Sequence, residues 1–68
     1  MHTKAEIAKE VVTRREILGI TQEQLSKHSN VSLKTIYKLE QGVGNPSINT
    51  LEKVLDILGL EVDIKLKK

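Results

Sequence analysis

The chain lacks cysteine, phenylalanine and tryptophan, and Tyr37 is its single aromatic residue. Without cysteine, neither a disulfide bond nor a thiolate metal site is possible. The two histidines, His2 and His28, are isolated from each other in the sequence and cannot form a metal site alone. One aromatic ring is also too few for the stacking platforms on which proteins bind single strands or RNA. Because cysteine is missing and the histidines are isolated, we expect no metal, and we also expect no cofactor.

Long apolar runs are also missing, and the first residues are too polar for a signal peptide. These absences predict a soluble protein of the cytoplasm. The 68 residues leave room for one domain, residues 1–68, with a small core. Because so small a core gives little net stability, we expect the chain to gain support from oligomerisation.

The net charge is only +2, but the charges are unevenly distributed. Residues 24–39 contain no Asp or Glu, whereas Lys27, Lys34 and Lys38 all lie there. Residues 40–63 contain five acids against Lys53 alone. One locally positive face of this kind is expected for a phosphate-binding surface, although a solvated basic helix face would give the same pattern.

The spacing of apolar residues predicts a first helix from about Thr3 to Leu18. Gly19 is placed to end this helix in the left-handed conformation. The predicted buried face consists of Ile7, Ala8, Val11, Val12 and Leu18.

Thr21 and Gln24 have the spacing of a capping box, which predicts a short second helix from Thr21 to about Asn30. Asn is one of the few residues other than glycine that accept the left-handed conformation of a tight turn between helices. Ser32 follows as the N-cap of a third helix, which ends at Gln41 and Gly42. The buried side of this third helix is predicted to carry Ile36 and Leu39.

Residues 43–46 are predicted to form a loop because they contain Gly, Asn and Pro. Ser47 then caps a fourth helix, which Gly59 closes. The apolar stripe predicted for this helix is Ile48, Leu51, Val54, Leu55 and Leu58.

From residue 60 onward the apolar pattern changes to strict alternation, which predicts a half-buried strand. A lone strand is not stable, and no other segment reads as a strand. Residues 59–68 are therefore predicted to pair antiparallel with the same segment of a second copy, although a frayed basic tail is an alternative. The predicted dimerisation residues are Leu60, Val62, Ile64 and Leu66.

Two short helices joined by a tight turn match the helix-turn-helix pattern. In order and spacing, the chain resembles the Cro/repressor-type (XRE) helix-turn-helix family over roughly residues 7–58. Asn30 and Ser26 stand where the family usually has Gly and Ala, and both changes are conservative. The residues that carry the resemblance are Thr21, Gln22, Leu25, Val31, Ser32, Ile36, Glu40, Gly42, Pro46, Ser47 and Leu51.

The resemblance implies an all-α, four- to five-helix, lambda-repressor-like domain that binds double-stranded DNA. Such a protein would be a sequence-specific transcriptional regulator and a repressor, working as a homodimer on a near-palindromic operator. Phosphates would be bound by Gln22, by backbone N–H groups at the start of the second helix, and by those of residues 42–45. The other residues that the resemblance assigns to DNA binding are Ser32, Leu33, Lys34, Thr35, Tyr37, Lys38 and Asn45.

Several of these roles have plainer alternatives. Lys34 and Lys38 can donate to guanine O6 and N7, but they can equally contact phosphates without reading bases. Leu33 can cover a thymine methyl group or be a partly buried packing residue. Arg15 and Glu40 match a family ion pair that ties the third helix to the first, and otherwise they are surface charges.

Three other functions are alternatives to a regulator that only binds DNA. Catalysis by His28 with Ser26 or Ser29 lacks an acidic residue nearby in sequence, and so small a helical unit offers no obvious pocket. The C-terminal strand is similar to the ending of HipB-type antitoxins, which repress their own operon and bind a toxin protein. A protein adaptor with the same fold is the third alternative.

Overall fold

The computed structural model of the chain describes residues 3–62. Within this range the chain forms four α-helices and no strand. They are α1 (Lys4–Ile17), α2 (Gln22–Ser29), α3 (Leu33–Gln41) and α4 (Ile48–Leu58). The all-helical architecture and the predicted order of the four helices are confirmed.

The start of each helix is fixed by a side chain that accepts a hydrogen bond from a free backbone N–H group of the first turn. At α2, Thr21 Oγ1 accepts from Gln24 N at 3.0 Å, while Gln24 Oε1 accepts from Thr21 N at 2.8 Å. The predicted capping box is therefore confirmed. Thr3 and Glu6 form a second box at the start of α1, which the sequence reading missed.

The turn between α2 and α3 is held by Asn30 and Ser26. Asn30 has φ 57° and ψ 36°, the left-handed conformation predicted for it. The Ser26 hydroxyl donates to the Val31 carbonyl at 2.6 Å, and the Ser26 carbonyl accepts from Val31 N at 3.2 Å. Ser26 thus bonds both backbone groups of Val31 and fixes the angle at which α3 leaves α2.

The core lies where the four helices meet. Val11 of α1, Leu25 of α2, Ile36 of α3 and the inner face of α4 are fully or almost fully buried together. α3 packs against α1 and α2, so its inward face is fixed by two neighbours. The buried hydrophobic residues of this cluster are Val11, Leu25, Val31, Ile36, Leu39, Val54, Leu55 and Leu58.

Two residues predicted to be buried are not. Leu18 is 45 % exposed because α1 ends at Ile17, and Ile20 packs against the core beyond the turn instead. Ile48 is 73 % exposed because it begins α4, before the stripe reaches the core at Leu51.

The segment after α4 is only partly described. Leu60 donates its backbone N–H to the Leu55 carbonyl at 2.8 Å and packs against the core, whereas Val62 is exposed. Residues 60–62 form no strand within the single chain. Ile64 and Leu66 of the predicted strand lie outside the described residues. Among the described helices, none is long and apolar enough to cross a membrane.

Candidate nucleic-acid interface

The outward side of α3 is a polar and basic stripe. Ile36 and Leu39 point into the core, so the residues on the opposite side of the helix face solvent. Their spacing of three and four residues places them on one face, about one helical turn apart. The exposed stripe consists of Lys34, Tyr37, Lys38 and Gln41, and Leu33 lies half-buried at its edge.

The first turn of α3 is occupied by its own cap. Ser32 Oγ accepts from Thr35 N at 3.2 Å, and the Ser32 hydroxyl lies 2.8 Å from Thr35 Oγ1. Ser32 is exposed and Thr35 half-buried. Both hydroxyls are thus engaged in starting the helix, which limits the contacts that Ser32 has left for a ligand.

The acidic side chain of α3 does not lie on the exposed stripe. Glu40 is the one acidic residue of this helix, and its side chain is only 6 % exposed. Arg15 Nε donates to Glu40 Oε2 at 2.7 Å, and Arg15 Nη2 donates to Glu40 Oε1 at 3.2 Å. Because this pair neutralises Glu40, the outward face of α3 carries the charge of Lys34 and Lys38 uncompensated.

Arg15 also connects the pair to the turn after α1. Its Nη1 donates to the Ile20 carbonyl at 3.0 Å, so one guanidinium bonds α3 and the backbone between α1 and α2. The hydrogen bond with Glu40 raises the pKa of Arg15 above its ordinary value, against the opposing effect of burial. Arg15 is therefore positively charged throughout the pH range in which the protein is folded.

Gln22 lies at the start of α2 and joins the same cluster. Its Nε2 donates to Glu40 Oε1 at 2.9 Å, so Glu40 accepts from both Arg15 and Gln22. This contact places the Gln22 amide between the start of α2 and the end of α3. The backbone N–H groups of Gln22 and Glu23 lie beside it in the first turn and lack partners inside the helix, whereas that of Gln24 donates to Thr21 Oγ1.

The loop after α3 offers fewer free amides than the sequence suggested. Gly42 N donates to the Leu39 carbonyl and Val43 N donates to the Lys38 carbonyl, because both cap the end of α3. The backbone N–H groups of residues 42–45 were expected to bind phosphate, and these two are already used within the chain. Gly44 and Asn45 are the remaining ones.

Lysines flank those remaining amides. Lys4 Nζ donates to Asn45 Oδ1 at 2.6 Å, across 41 positions of the sequence. A Cβ on Gly44 would lie 3.5 Å from Lys38 Cδ, so the Lys38 stem runs over the loop. A cleft of about 180 Å³ between α3 and the loop includes Thr35, Lys38 and Asn45 among its lining residues. The Lys4 ammonium group and the Lys38 stem thus lie next to the Gly44–Asn45 backbone, beyond the C-terminal end of α3.

The sequence reading missed Lys4, Gln41 and the hydrogen-bonding role of Ser26. Gln41 has the helical spacing that places it on the stripe with Lys34 and Lys38, so this signal was available. Lys4 carried no local signal, because only the packing of α1 against α3 brings it near Asn45.

The serines next to His28 have structural roles. The Ser26 hydroxyl donates to the Val31 carbonyl, as described above, and the Ser29 hydroxyl donates to the Leu25 carbonyl at 2.7 Å. Ser29 is buried, whereas His28 is exposed. Neither hydroxyl is presented as a nucleophile.

Comparison with known proteins shows similarity to a family and to a relative. A family described as helix-turn-helix matches residues 11–65, which includes all of α2, α3 and α4. An uncharacterised HTH-type transcriptional regulator of Haemophilus influenzae is 41 % identical over 58 residues, covering 85 % of this chain. The chain spans 59 % of the length of that relative. From the family match and the arrangement of α2 and α3, the chain belongs to the helix-turn-helix family.

Proposed function

We propose that this chain binds duplex DNA in a sequence-specific way and regulates transcription, with α3 inserted in the major groove. The observation that carries the proposal is the exposed stripe of Lys34, Tyr37, Lys38 and Gln41 on a helix whose one acid is buried in an ion pair. The family and the name of the Haemophilus relative support it. They also favour a binding role over an enzymatic one.

The dimensions of α3 suit this role. Nine residues give a helix about 13 Å long, and the major groove, about 12 Å wide, admits one helix. Lys34 stands in the first turn, where helix-turn-helix proteins contact base edges. Lys34 can donate to guanine acceptors, and Leu33 beside it can cover a thymine methyl group.

Phosphate contacts would lie at two places beside the groove. The Gln22 side chain and the backbone N–H groups of Gln22 and Glu23 form one. Lys4, Lys38 and the backbone N–H groups of residues 44–45 form the other. Contacts of this kind set the register of a protein on DNA, and base contacts then supply specificity. The Arg15–Glu40 pair supports the phosphate contacts and the base contacts, because Glu40 joins Gln22 to the end of α3.

The functional unit in this proposal is a two-fold dimer. Residues 60–66 alternate in polarity, and the backbone groups of Glu61 and Val62 make no hydrogen bond to any residue in the range 3–62. Antiparallel pairing with a second copy would occupy those groups. Two α3 helices would then face half-sites about 34–36 Å apart, which requires a near-palindromic operator.

Repression is the mode of regulation that this arrangement supports most simply, because occupying a promoter is sufficient to block transcription. The toxin-binding alternative gains no support from the family match or from the relative's name. We therefore do not retain it.

The test begins with selection of duplexes from a random pool, followed by fluorescence anisotropy across a salt series. Because binding releases condensed counterions, log affinity should fall linearly with log salt concentration. Lys38→Ala should weaken binding and reduce the slope by about one phosphate contact.

The matched control is Lys53→Ala, since Lys53 is an exposed lysine on α4 rather than on α3. We expect its affinity and salt slope to equal those of the parent. Failure to enrich any duplex, or an affinity that does not change with salt, contradicts the proposal.

A further inference from the structure

A groove runs along the outer side of α4, bounded by residues 60–62. Its volume is about 330 Å³, and its floor is apolar, formed by Leu51, Leu55 and Leu60. Ile48 and Val62 stand at its edges with 73 % and 38 % of their surface exposed. Burial of this apolar surface by an apolar segment would be favourable. We call it the α4 groove.

The rim of the α4 groove is acidic. Glu52 and Asp56 are four residues apart on α4 and therefore lie on one side of the helix, while Glu61 lines the groove from the following segment. None of these three carboxylates forms an ion pair with a residue in the range 3–62, and no Lys or Arg of that range lines the groove. The groove therefore suits an apolar segment that carries positive charge.

We propose that the α4 groove receives the basic C-terminal residues 64–68 of a second copy of this chain. This segment places the apolar Ile64 and Leu66 between Lys65, Lys67 and Lys68. In an extended segment Ile64 and Leu66 would face the groove floor. Lys65 and Lys67 start on the opposite face, and their long side chains would bend over the rim toward the carboxylates of α4. The inference rests on the dimer of the proposed function but not on DNA binding.

The antiparallel pairing proposed above brings these groups together. When residues 60–66 of two chains run in opposite directions, residues 64–68 of one lie alongside residues 60–62 of the other. Residues 60–62 form one wall of the groove. Each copy would cover the groove of its partner, and the two sites would be equivalent by symmetry.

Turn chemistry favours a second copy over the chain's own C-terminal residues. To return into its own groove, the chain would need a tight turn just after Val62. Two-residue hairpin turns require positive φ, which is the reason they use Gly, Asn or Asp. Residues 63–68 contain neither Gly nor Asn, and a turn at Asp63 and Ile64 would place a β-branched residue at positive φ.

Charge reversal tests the proposal without DNA. One variant reverses the groove (Glu52→Lys with Asp56→Lys), and the other reverses the segment (Lys65→Glu with Lys67→Glu). Sedimentation equilibrium of the full chain should show that each variant alone dimerises at least about tenfold more weakly than the parent. In an equimolar mixture, each groove meets a segment of opposite charge, so dimers should return to near the parental level.

The control, Glu16→Lys with Glu23→Lys, makes the same change in net charge at exposed acids outside the groove. It should dimerise like the parent. Circular dichroism verifies that each variant is folded. If the groove variant does not fold, the double variant Glu52→Gln with Asp56→Asn takes its place.

Three results overturn the proposal: a monomeric parent, reversed variants that dimerise like the parent, or a mixture that stays monomeric. DNA binding is measured separately by anisotropy. A failure of the α4 groove is therefore distinguishable from a failure of the DNA-binding proposal.

Discussion

Replacing Arg15 with methionine removes the cation that holds Glu40 at the end of α3. The Glu40 side chain is 6 % exposed and the Arg15 side chain 16 % exposed, so water cannot replace the lost partner easily. Breaking a buried ion pair on one side costs about 3–5 kcal/mol of unfolding free energy. Because Arg15 retains slight exposure and Gln22 still donates to Glu40, we expect the lower end, about 3 kcal/mol.

Glu40→Leu should cost a similar amount, since it leaves the guanidinium of Arg15 with only the Ile20 carbonyl. The double variant should lose far less than the sum, because replacing both charges by apolar groups is often nearly neutral. A double-mutant cycle in urea, at one fixed protein concentration, should therefore give a coupling energy of at least about 2 kcal/mol.

Glu16→Leu is the matched control for this cycle, because Glu16 is the exposed neighbour of Arg15 and makes no ion pair with a described residue. It should change the unfolding free energy by less than about 0.5 kcal/mol. Losses for Arg15→Met and Glu40→Leu that add within about 0.5 kcal/mol would refute the reasoning.

Three further predictions concern the turn and the exposed face of α3. Ser26→Ala should lower the unfolding free energy by about 1 kcal/mol, because the Val31 carbonyl loses its hydroxyl donor; an unchanged urea midpoint would contradict this. Asn30→Ala should cost about 1–2 kcal/mol at φ 57°, whereas Asn30→Gly should not destabilise; equal losses for the two would show that the left-handed backbone is not the cause. Lys34→Ala should cost about 1–3 kcal/mol of binding on the selected duplex and relax preference at one base pair. Equal weakening on every single-base variant of the duplex would instead make Lys34 a phosphate contact.

Much of the fold was predictable because its signals are local. Thr21 and Gln24 stand three residues apart, and the box they form depends on nothing beyond that spacing. Ser32 and Ser47 likewise cap the helices that follow them. The same signal stood at Thr3 and Glu6 and was overlooked.

The two burial errors have one cause. A periodic apolar pattern predicts the face of a helix but not the residue at which packing against that face begins or ends. Leu18 follows the period of α1 but lies beyond its last residue, and Ile48 follows the period of α4 but precedes its packed part.

The interface was harder to predict because its contacts join distant segments. The bond between Gln22 and Glu40 spans 18 positions, and that between Lys4 and Asn45 spans 41. The resemblance supplied the roles of Gln22 and Asn45, but not these partners. For the loop the resemblance likewise supplied a phosphate-binding role, but not the finding that the N–H groups of Gly42 and Val43 cap α3.

The central claim, that α3 is the surface that enters DNA, is tested most directly by titrating the ¹⁵N-labelled chain with its selected duplex. Amide shifts measured by nuclear magnetic resonance then map the contact onto the sequence. We predict the largest changes in residues 32–38, with further changes near Gln22 and in residues 44–45. The outer side of α4, over residues 52–57, should change little. Changes concentrated on α4, with α3 unperturbed, would contradict the account.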